Sequence, residues 1–189
     1  MNLILSHRID MDNSIRNAVE QAARRPKVRA AVGEVYAQLQ REIDLRQPVC
    51  SSSGRCCRFE EFGHRLYVTT LELAAFAADR QTPPNQNWDG TGCPFQAGGL
   101  CSVHSIRPFG CRVFFCDPTA SAWQNEQYER FHARIKRLHD DLDVPYHYVE
   151  WRQALILCHL APAPATATPP PGPESALARK PLSLPQLPL

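Results

Sequence analysis

A chain of 189 residues is long enough for one domain with its own core, and needs no disulfide staples to stay folded. Twenty-one Lys and Arg against 19 Asp and Glu leave a net charge of +2, which argues against a polyanionic partner, so nucleic acid is not expected. No run reaches the roughly 20 apolar residues of a membrane span, and the apolar start at residues 1–5 meets His7, Arg8 and Asp10 before a secretory core can form, so the expected location is the cytoplasm.

That expectation decides how the eight cysteines are read. In a reducing compartment, clustered thiols more often bind metal or do redox work than form structural disulfides.

Residues 1–13 read as a leader. Ile15, Val19 and Ala22 repeat at helical spacing and predict a helix over 14–23. Pro26 interrupts it and is suited to open the next helix, because its missing N–H is not needed there. Val28, Val32, Val35, Leu39 and Ile43 then form one apolar stripe and predict a helix over 27–45. The basic group Arg24, Arg25, Lys27 and Arg29 reads as a solvated face.

Cys50 opens C-S-S-S-G-R-C-C, in which the Ser and Gly residues are turn formers ahead of Cys56 and Cys57. The stretch 65–69 has strand-type residues. Thr69 and Glu72 form a capping-box pattern and predict a helix over 71–79. A Pro- and Asn-rich loop over 81–92 leads to Cys93, and Cys101, Cys111 and Cys116 follow.

Val113, Phe114 and Phe115 read as a brief strand or extended segment. Ser121 and Gln124 repeat the capping-box pattern. Tyr128, Phe131, Ile135, Leu138 and Leu142 predict a helix over 122–141. Tyr148, Trp151, Leu155 and Cys158 suit a last helix. From 161 to 189, nine of 29 residues are proline and none is aromatic, the composition of a disordered tail and of a ligand for a protein partner.

Seven cysteines, Cys50, Cys56, Cys57, Cys93, Cys101, Cys111 and Cys116, fall within 67 residues. Thiolates are soft ligands that favour zinc, copper(I) or iron–sulfur clusters over magnesium or calcium. Gly54, Gly92, Gly98, Gly99 and Gly110 lie among them and permit tight wrapping of backbone. The spacings C-x5-C-C, C-x7-C and C-x9-C fit neither zinc-finger pairs nor ferredoxin runs; only Cys111-x4-Cys116 has pair spacing. His64 and His104 lie close enough in sequence to be further ligand candidates. Arg107 and Arg112 flank Cys111 as stabilisers of thiolate or as ordinary partners of Glu60, Glu61 or Asp117. No phosphate loop, dinucleotide fingerprint or nucleophile–base pair is present in the sequence.

With its C…C-C group, Cys93-Pro94-Phe95 and the run from Gly99 to Arg112 (G-x-C-S-V-x-S-I-R-P-x-G-C-R), the chain resembles the CxxCxxCC cysteine-cluster family. This YkgJ-type group is described as zinc- or iron-chelating and includes flagellin N-methylase-like proteins. The resemblance covers 50–116. It implies that Cys50, Cys56, Cys57, Cys93, Cys101 and Cys111 bind metal. Ser53 stands where the family pattern has a cysteine, and Cys116 is the candidate to replace that thiol.

The expectation is a mainly α fold with little β. An irregular cysteine-rich metal-binding core at 50–116 packs between amphipathic helices of one domain at 14–160. Its expected function is to coordinate an iron–sulfur cluster or iron, with zinc as the alternative. Two further readings are a cluster-dependent protein-lysine N-methyltransferase, which the resemblance implies, and a zinc-stapled interaction module.

Overall fold

The structure, a computed structural model, describes residues 2–164. It is mainly α, with six α-helices and two small antiparallel pairs of strands among these residues.

Helix α1 spans Asn2–Ala23, so helix replaces leader from its first turn on. Its core face carries Ile15, Ala18, Val19 and Ala22. Pro26 occupies the first turn of α2, Pro26–Arg46, as its missing donor allows. All five residues of the expected stripe are buried. The helix stops where Gln47 turns left-handed (φ 50°) and returns its N–H to the Ile43 carbonyl.

Strand β1, Tyr67–Thr69, runs into α3, Thr70–Asp79. The capping box forms: Thr69 Oγ1 accepts from the Glu72 N–H, and the Glu72 carboxylate accepts from the Thr69 N–H. Helix α3 is buried almost all round and is the central element, with α1 and α2 against it. Strands β2, Gln96–Ala97, and β3, Leu100–Cys101, make a tight hairpin that pairs Gln96 with Cys101.

Helix α4 is a single turn, Phe109–Val113, entered through Pro108. Val113 therefore ends a helix and no strand forms at 113–115, while Phe114 is extended (φ −85°, ψ 124°). Helix α5 spans Ser121–Asp141. Its expected capping box is absent: Ala120 is the cap residue, and Gln124 Oε1 instead accepts from the Phe115 N–H at 2.7 Å. Strand β4, Tyr148–Glu150, pairs with β1 in the register Tyr67–Glu150, and Glu150 then caps α6, Trp151–Leu157.

Two clusters form the core. One gathers α1, the start of α2, α3, Phe95, Val103, Trp151 and Leu155. The other gathers Val35, Leu39 and Ile43 of α2 with Phe109, Val113, Phe131 and Ile135. The stripe of α2 is thus shared between them. Ala161 is buried in the first cluster, so the packed domain runs past 160. Residues 165–189, most of the expected disordered tail, lie outside the described residues.

Candidate metal centre

Three short segments bring thiols together on the edge of the first core cluster. The first is the 3-10 turn Arg55–Cys57, the second the hairpin from Cys93 to Cys101, and the third is α4 with Cys111. Cys93, Cys101 and Cys111 all pack against that cluster, and Cys57 is 4% exposed.

Backbone welds the first two segments. The Cys93 N–H donates to the Cys57 carbonyl at 2.8 Å. Gln96 Nε2 donates to the Gly54 and Gly99 carbonyls, both at 3.2 Å. Gly54 and Gly92 are required by this approach. Both have positive φ, 66° and 59°. A Cβ on Gly54 would lie 2.0 Å from the Gly99 oxygen, and one on Gly92 2.8 Å from the Cys57 oxygen. Each contact is backbone against backbone, which cannot give way as a side chain can.

The third segment is set by polar contacts. Buried Glu72 of α3 accepts from the Phe109 N–H at 3.0 Å, which places the first turn of α4. Arg107 Nε donates to the Cys111 carbonyl at 3.1 Å. Arg112 donates to the Arg107 and Ser105 carbonyls at 2.8 and 2.6 Å, and its guanidinium lies 4.3 Å from the centre of the Tyr36 ring. Neither arginine pairs with the carboxylates that sequence suggested. Glu60 meets Arg152, Glu61 meets Arg58, and Asp117 caps the turn at Thr119.

The thiols influence one another most strongly at Cys57, on which Cys101 acts first, then Cys56 and Cys93. These three neighbours, and burial after them, push the Cys57 thiol up. Cys57 in turn holds Cys56 down at about 6, against its burial, and Cys101 at about 7. Cys93 is lowered as well, by Cys57 first and with help from the Phe95 amide and the Trp151 indole, whose Nε1 lies 3.5 Å from its sulfur. Cys111 is raised well above an ordinary thiol by burial, then by charge on Cys93, Cys56 and Cys101. Positive Arg107 favours ionisation of Cys56, Cys101 and Cys111. The result is a partly ionised group of thiols from distant parts of the chain.

The remaining candidates lie elsewhere. Cys50 is exposed. Cys116 stands against Ser53, with sulfur and hydroxyl 3.7 Å apart. The neighbours of these residues are tied together, because the Val49 N–H donates to Asp117 Oδ2 at 3.1 Å. Cys50, Ser53 and Cys116 therefore share one loop junction. His64 Nε2 lies 3.3 Å from the Cys56 carbonyl oxygen, and His104 meets Arg107. Cys158 packs against the first core cluster, and burial raises it to about 11.

Among the described residues, no group of three or more His, Cys, Asp or Glu side chains stands at metal-holding geometry. The donor chemistry nonetheless suits a soft cation. Ionisation of Cys56, Cys93 and Cys101 is favoured, and a positive ion would neutralise charge that these thiols otherwise impose on Cys57 and Cys111. One feature of the site has no counterpart in the sequence pattern. A cavity of about 260 Å³ reaches Cys56 and Cys111 and is walled by Phe59, Tyr67, Phe114 and Tyr148.

No family model matches the chain, and no curated protein or solved structure is similar to it.

Proposed function

We propose that this protein binds a soft metal, as zinc, iron or an iron–sulfur cluster, through Cys56, Cys57, Cys93 and Cys101, with Cys111 beside them. The observation that carries this reading is the Cys93 N–H bond to the Cys57 carbonyl at 2.8 Å, which holds the hairpin thiols against the turn, where Cys101, Cys56 and Cys93 together raise the Cys57 thiol. Four thiolates are the ligand set of a structural zinc site and equally of a [4Fe–4S] cluster. The resemblance to zinc- and iron-chelating cysteine-cluster proteins supports the same chemistry.

Metal bound there would cross-link the turn at 55–57 to the hairpin at 93–101. Arg107 would offset the excess charge of the thiolates, and the Trp151 indole would donate to the Cys93 sulfur. Both are contacts of the kind that orient ligands around a metal.

Elemental analysis of anaerobically purified protein tests this. We expect about one zinc, or iron with matching sulfide, per chain, and loss of most of it in Cys57→Ser and Cys93→Ser. Cys158→Ser should retain it. Wild-type protein without zinc or iron, or Cys57→Ser with a full complement, would overturn the assignment. Absorption near 400 nm, roughly where iron–sulfur centres absorb, separates the cluster from colourless zinc.

A further inference from the structure

We propose that the cavity beside the thiols binds a small planar aromatic acid. The inference stands on the shape and donors of the cavity and holds whether or not the thiols carry metal.

Size comes first. About 260 Å³ lies below the roughly 300–1,000 Å³ of pockets for drug-sized ligands, so the occupant is one ring or two fused rings. The walls then decide its shape. Tyr148 is stacked on Tyr67, with ring centres 5.3 Å apart and planes 27° apart. Phe114 is stacked on His64 at 5.6 Å and 13°. Phe114, Tyr67 and Tyr148 are nevertheless 42%, 40% and 40% exposed. Large aromatic side chains left open around one cavity mark a binding site rather than a core. Tyr148 also carries His132 (5.1 Å, 30°), so the faces open to a flat ring are those of Phe114 and Tyr67, with offset stacking worth about 0.5–1.5 kcal/mol per pair beyond burial.

Charge and hydrogen bonding give the second half of the ligand. The lining contains Arg65 and no Asp or Glu. Among the described residues Arg65 forms no ion pair. Gln124 spends its oxygen on the Phe115 N–H, which leaves its two N–H donors available. Tyr128 and Tyr148 share one hydrogen bond at 2.5 Å between their hydroxyls, which leaves one O–H to donate outward. Asn125 adds an amide to the lining. The cation and open donors of the lining, with no carboxylate among them, suit an anion held away from the Cys56 thiol. An aromatic cage for an ammonium group would present the opposite balance. The acid edge of the ligand therefore meets Arg65 and these donors, and its ring brings it towards Cys56 and Cys111.

Isothermal titration of the full chain with 2-naphthoate tests the proposal. We expect saturable one-to-one binding, weakened at least tenfold for cyclohexanecarboxylate, which has the charge without the flat ring. Tyr148→Ala and Arg65→Gln should each weaken binding about tenfold. Metal content and melting temperature, measured on the same samples, should stay at wild-type values in Arg65→Gln, whose side chain is exposed. No saturable heat up to millimolar 2-naphthoate would overturn the proposal. So would undiminished binding in Arg65→Gln, or a preference for benzyltrimethylammonium. Because metal content is read separately, loss of this proposal and loss of the metal assignment are distinguishable.

Discussion

His139 shows how one side chain can set the acid limit of a fold. It lies on α5 at 2% exposure, and its Nδ1 is 3.0 Å from the Val144 carbonyl oxygen. That contact requires the proton on Nδ1. Nε2 then has no hydrogen-bond partner among the described residues. Protonation would place a buried N–H there without an acceptor, and charge on His147 opposes it. Burial accordingly lowers the His139 pKa below the usual imidazole value of about 6.5, despite the Val144 and Pro145 backbone and Asp140, which favour the cation. The unfolded chain thus binds more protons than the folded one between the two values. The stability contributed by neutral His139 is present above about pH 6.5 and is lost as pH falls through its folded pKa. We expect the melting temperature of wild type to fall from pH 7 to pH 5 more steeply than that of His139→Gln. A full one-proton difference corresponds to about 1.4 kcal/mol per pH unit. Parallel melting curves for the two proteins would place the acid sensitivity on other groups.

At the scale of elements, Glu72 joins a helix start to the thiol site. One oxygen takes the Thr69 N–H and hydroxyl, both at 2.9 Å, and the other takes the Phe109 N–H. Glu72→Ala removes the Glu72 half of the capping box, leaving the Thr69 hydroxyl on the residue-72 N–H, and leaves the buried Phe109 N–H without its acceptor. Losing that half costs about 1 kcal/mol and an orphaned buried donor about 1–3 kcal/mol. Urea titration should therefore show about 2–4 kcal/mol of destabilisation, and a change under 0.5 kcal/mol, roughly that of a neutral surface substitution, would refute the link. The first half of this device is legible in sequence, since Thr69 and Glu72 sit three apart before an apolar run. The second half is not, because Phe109 lies 37 residues away. The same contrast recurs elsewhere. Local periodicity suffices for α2, whose five stripe residues are all buried. Ser121 and Gln124 have equally good local chemistry, yet Gln124 is claimed by the Phe115 amide. Strand β4 depends on pairing with β1 across the chain, which no local pattern announces. Cysteine identity marked the thiols that converge, but the aromatic cavity beside them joins β1, α4, α5 and β4 and has no motif.

The whole molecule separates a scaffold from a site. Both core clusters are built mainly from helical apolar side chains, the first also taking Phe59, Phe95 and Val103 from the loops, and the thiols lie at its margin. The segments that carry Cys56, Cys57, Cys93 and Cys101 are short turns, held by contacts such as Cys57 N–H to Gly54 and Ser102 N–H to Phe95. Segments with few buried apolar contacts open at lower free energy than the core. If the proposed metal clamps them, its removal should release these segments and leave the helices folded. We expect chelator-treated protein to keep its far-ultraviolet helical signal. Hydrogen exchange at the amides of Cys57, Cys93 and Ser102 should accelerate at least tenfold, while Leu73 and Phe76 in buried α3 remain protected. Zinc or iron returned to the sample should restore protection at the first set. General loss of helix on chelation would instead make the metal a condition for folding the entire domain, as in small zinc modules that cannot build a core of their own. The two helical clusters argue against that outcome. Burial of Leu39, Leu71, Ile135 and Leu155 at 0% exposure gives this chain an apolar core independent of any thiol.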